Sequence, residues 1–156
     1  MYKFKTQKGI TLVSLVITII ILLIISSIGI NFGINGINST KDSKLEAELN
    51  MVQHAVLEQY TKYKTIKDIA YLVGNKVSEE QLNGVTEELG ITLVNIPDTY
   101  ANKDYYKLDK ASLKEIGIQE TEDEYIVNYI SGEVINITKK KLSNNTPLYT
   151  KANSFN

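Results

Sequence analysis

Few side chains in this sequence are of a kind that does chemistry. His54 is the only histidine, and cysteine is absent. Without a thiolate or a second imidazole there is no transition-metal ligand set, no disulfide framework and no thiol nucleophile. His54 reads as a surface or domain-facing histidine. Acids cluster at Glu120, Glu122, Asp123 and Glu124, but they lack the alternating Asp/Asn spacing with Gly that shapes a calcium loop, and they read as a solvated loop. Lys139, Lys140 and Lys141 form a basic cluster that reads as a hairpin edge or a solvated end. No GxSxG, HExxH, phosphate-loop or zinc spacing occurs. The pattern predicts no enzyme activity, no cofactor and no metal. The Gly9-Ile10 peptide bond lies between Lys8 and a long apolar run, "KGITLVSLVITIIILLIIS", which carries hydroxyls at Thr11, Ser14 and Thr18.

Ile10 to Ile30 is 21 residues, 15 of them Ile, Leu or Val. As a helix it would span roughly 31 Å, against a bilayer core of about 30 Å. At about −0.3 to −0.6 kcal/mol for each such residue, insertion into a membrane is favoured by roughly −5 to −9 kcal/mol. A buried soluble helix is the alternative, but a head this small cannot wrap such a helix on every side. A secretory signal ending near Ser27-Ile28-Gly29 is a second alternative, opposed by the length and Ile content of the run. Lys3, Lys5 and Lys8 precede the run with no acid, and no charged side chain follows until Lys41. That asymmetry predicts a cytoplasmic N-terminus and an extracellular remainder. Beyond Lys8, 14 lysines face all 18 acids, a net of −4, so no nucleic-acid partner is expected.

"KGITLVSLV" resembles the processing site of the type IV pilin and type II secretion pseudopilin superfamily. The resemblance implies a basic leader, "MYKFKTQKG", removed by a prepilin peptidase between Gly9 and Ile10, with N-methylation of Ile10. A glycine at the membrane boundary can unwind into a protease site while the apolar run stays in the bilayer. The resemblance also implies other pilin-like subunits, an assembly platform in the membrane and the lipid bilayer as partners. The family's usual Glu at the fifth mature position is replaced by Ser14, whose hydroxyl cannot neutralise a neighbour's amine. Three readings stay open: a minor or tip subunit, a Gram-positive branch that lacks this Glu, or a processed anchor that does not polymerise.

Between anchor and head, Gly29, Gly33 and Gly36 alternate with Asn31, Asn35 and Asn38. Each glycine weakens a helix by about 1 kcal/mol, which predicts a frayed exit segment or a hinge at 31–40. Leu45, Leu49, Val52, Val56, Tyr60 and Tyr63 then fall on one stripe of an amphipathic helix over 41–64, expected to dock onto the head.

The head, 65–138, reads as a small α+β unit with short helices and a C-terminal β-hairpin. "SEEQ" from Ser78 predicts a capped helix ending at Gly90. Asp109 predicts the cap of a second helix that stops before Gly117. The matching "ELGI" and "EIGI" predict the same helix stop twice. "ITLVNI" (91–96) is β-prone. "EYIVNYISGEVINIT" predicts a hairpin with a two-residue Ser131-Gly132 turn. The polar tail, 139–156, is expected to be loose at its end. The expected plan is leader 1–9, membrane helix 10–30, hinge 31–40, amphipathic helix 41–64, head and tail: a pilin-like arrangement on a bacterial cytoplasmic membrane, or at the cell surface after assembly.

Overall fold

The computed structural model describes the backbone of residues 8–119 and 121–155, and the side chains of 12–23, 36–119 and 121–155. The chain forms two compact units, Met1–Thr40 and Lys41–Asn156. Helix α1, Lys8–Ile66, is 59 residues long. Its backbone stays helical through Gly29, Gly33 and Gly36, so no frayed segment interrupts 31–40. Stopping and restarting a helix needs a new nucleus, which costs more than each glycine's penalty of about 1 kcal/mol. Among the described residues no helix is long and apolar enough to cross a membrane. Of the run Ile10–Ile30, only the side chains of 12–23 fall within the described set.

In the second unit the predicted stripe of α1 faces the core. Leu49, Val52 and Val56 are buried, and Leu45, Tyr60 and Tyr63 pack partly buried against them. Full burial of each Val or Leu stabilises by roughly 1.5–3 kcal/mol. A single 3-10 turn, Ile69–Tyr71, leads to strand β1, Asn75–Lys76. Helix α2, Glu79–Leu89, starts on the predicted box: Ser78 accepts from the Gln81 amide, and Gln81 returns the bond. Strand β2, Tyr106–Leu108, precedes helix α3, Lys110–Glu115, capped by Asp109. The two predicted stops are alike. Ile91 N–H donates to Thr86 at 3.1 Å and Ile118 N–H to Leu113 at 2.8 Å, each across a glycine with positive φ.

Strands β3, Tyr125–Asn128, β4, Glu133–Asn136, and β5, Tyr149–Thr150, complete an antiparallel sheet in the order β1-β2-β3-β4-β5. Alternation sends Tyr106, Tyr125, Val127 and Val134 to the α1 face, and Ile126 and Ile135 to the face covered by α2. Both faces are therefore covered, which explains the near-continuous apolar run of β3. The fold is α+β.

Three expectations need correction. The hairpin turn is not Ser131-Gly132 alone, because the last strand pair is Asn128↔Glu133 and leaves Tyr129–Gly132 as the loop. The buried Asn128 side chain accepts from Ile130 N–H (2.9 Å) and Ser131 N–H (3.0 Å), offering the backbone a wider turn. Residues 91–96 form no strand. Ile91 and Leu93 lie against Ile126 and Ile135, so the segment covers a sheet face instead of pairing with an edge. The polar tail is built into the fold before its end: it supplies β5, the buried Leu142 and Leu148, and Asn153, whose side chain donates to Ile130 C=O at 2.8 Å. Of the acidic loop, Asp123 is buried and accepts from the Asn136 side chain at 2.9 Å. Glu122 pairs with Lys110, and Glu124 pairs with Lys107 at 2.9 Å. Glu120 lies outside the described residues.

Candidate functional site

The residues of the candidate processing and assembly site lie on the first unit's part of α1. Lys3 and Lys5 fall outside the described residues. Lys8, Gly9 and Ile10 lie in one turn of α1. That turn contains no acid. Ser14 is exposed, and its carbonyl accepts from the Thr18 hydroxyl at 2.8 Å. That hydroxyl is satisfied along its own helix, so Thr18 adds little polarity to the face around it. Leu12–Leu23 is exposed on every side: Val16 is 47% exposed and Leu12 and Leu23 are 65% exposed. Gly29, Gly33 and Gly36 are helical, and a Cβ added at Gly36 would meet nothing within 4 Å.

The second unit holds a polar cluster that the spacing rules did not single out. Glu133, the first residue of β4, is 0% exposed. Its Oε1 accepts from Val94 N–H at 2.8 Å and from the Tyr149 hydroxyl at 2.6 Å. Its Oε2 accepts from the Ser131 hydroxyl at 2.7 Å and from the Tyr105 hydroxyl. No ammonium pairs with it among the described residues. Its oxygens are held by neutral donors, each from a different segment. Burial first, then the hydrogen bond to Glu133 and its charge, push the Tyr105 and Tyr149 phenols well above their ordinary range. The carboxylate fastens four segments of the fold together. One signal for it was present in the sequence: alternation puts Glu133 on the same buried face as Ile135.

His54 is exposed on α1, and no group of three or more metal-capable side chains occurs among the described residues. A groove of about 680 Å³ lies between α2 and the sheet, floored by Val77, Val85, Ile126 and Ile137. Its charged rim is neutralised within the chain: Lys76 by Asp104 at 2.6 Å, Lys107 by Glu124 at 2.9 Å and Glu88 by Lys140 at 2.7 Å. Comparison with family models, with characterised proteins and with solved structures finds no match to this chain.

Proposed function

We propose that this protein is a pilin-like or pseudopilin structural subunit. A prepilin peptidase cuts it between Gly9 and Ile10 and Ile10 is N-methylated. The run Ile10–Ile30 holds it in the bacterial cytoplasmic membrane with the head outside. Packing of α1 against other subunits, guided by a membrane assembly platform, then builds a surface filament or a secretion or competence pseudopilus. The observation that carries this reading is the contrast along one helix. Its second half buries its apolar stripe in the head, while Leu12–Leu23 leaves apolar side chains uncovered all round. An apolar surface of that kind calls for lipid or other helices as its surroundings.

Intact mass of the chain recovered from its native membrane tests the reading. The expected N-terminus is Ile10, about 14 Da heavier if methylated, and Gly9→Ala should leave the leader attached. Retention of Met1 in the native chain, or normal processing of Gly9→Ala, would refute it. Ser14 favours one second reading, a singly anchored extracellular binding protein that does not polymerise, because a hydroxyl cannot neutralise a neighbour's amine.

A further inference from the structure

We propose that the flank of α1 between Met51 and Asp68 is a docking groove for a second copy of this chain, and that the incoming element is its basic Lys139–Lys141 turn. The inference deepens the assembly reading and rests on it. Two adjoining grooves, of about 510 and 380 Å³, run along this flank and share Gln59, Lys62 and Glu115 as lining. Gln59 is only 8% exposed, and no hydrogen bond to its side chain occurs among the described residues. Its side chain lines both grooves. A side-chain amide this deeply buried is costly unless something supplies its partners.

The groove is also short of positive charge. Glu58, Asp68 and Glu115 line it against one lysine, Lys62, which already pairs with Glu58 at 2.8 Å. Asp68 is used as a cap for the 3-10 turn, and Glu115 has no cationic partner among the described residues. The complementary charge lies elsewhere on the same unit. Lys139 approaches Asp123 only at 4.0 Å, and exposed Lys141 has no acid partner among the described residues. Ser143, two residues on, is tied to Asp42 by bonds of 3.1 and 2.9 Å. The basic turn therefore lies beside the start of the second unit's helix. Glu58 is 16 residues further along α1, roughly 24 Å at 1.5 Å per residue. One copy cannot bring its own turn to its own groove, but a second copy can. A contact that joins opposite ends of the same unit is head-to-tail, and such contacts repeat into open filaments when the rotation does not close.

The test uses the full chain in its native membrane. Because the sequence has no cysteine, Glu115→Cys with Lys141→Cys provides the only thiols present. Mild oxidation should give a ladder of dimers and higher species from the double variant, and at most a single dimer band from either variant alone. Lys141→Glu and Glu115→Lys should each lower co-purification of tagged with untagged chain by about threefold, as for a surface ion pair. Combining them should restore it. No ladder and no charge-swap rescue, with co-purification of the wild-type chain intact, overturns the groove while leaving the assembly reading standing. Absence of wild-type co-purification overturns both.

Discussion

Glu133 brings together parts of the chain that regular structure leaves unjoined. Val94 belongs to the irregular 91–96 segment, Ser131 to the hairpin loop, and Tyr149 to a two-residue strand. Removing the carboxylate strands several buried donors at once, whereas Gln keeps one acceptor oxygen. Glu133→Ala should therefore cost at least about 3 kcal/mol, and Glu133→Gln clearly less, by thermal or urea unfolding followed by circular dichroism. Equal losses would show that the donors do not depend on it. The phenols around it make a second prediction. Tyr105, Tyr149 and Tyr129 have folded-state pKa values raised by burial above the ordinary 10.0. For a raised group the stabilising contribution is whole below the unfolded value and is lost as pH climbs towards the folded one. Stability should hold up to about pH 10 and fall above it. Phenolate absorbance should rise in two stages, exposed rings first and the buried set only together with unfolding. A single smooth titration without unfolding would contradict this.

At the scale of elements, the C-terminal segment is the one whose importance exceeds its appearance. Leu142 and Leu148 are buried, β5 closes one edge of the sheet, and Ala152 and Asn153 donate to Ser131 C=O at 3.2 and 2.9 Å. Deleting residues 141–156 should abolish cooperative unfolding and near-ultraviolet signal; a variant that still melts sharply would mean the segment is ornamental. What was legible beforehand divides along the range of the interactions. The Ser78–Gln81 box, the Asp109 cap and the Gly90 and Gly117 stops are settled within a few residues, and the α1 stripe within one helix. The hairpin was legible in its strands but not in its loop, because the Asn128 side chain chose the wider turn. Residues 91–96 and the tail could not be read, since their partners, Glu133 and Ser131, lie far along the chain. The Gly9-Ile10 motif was found by resemblance, whereas the flanking groove follows only from which side chains the fold brings around Gln59.

For the whole molecule, the division at Thr40 and Lys41 makes a separable prediction. The second unit has its own two-sided core, so residues 41–156 alone should unfold at a Tm within a few degrees of the full chain in detergent. A fragment without a melting transition would show that the first unit is required for folding. The long-range bonds of this unit also set a schedule for synthesis. Asp42 waits 101 residues for Ser143, and Gln53 waits 79 for Gly132. Pairings so far apart in sequence form late. Until the ribosome has released the final strand, the stripe of α1 is made but uncovered. A nascent chain in that condition has its core open. The head can mature only once residues 141–153 have joined it.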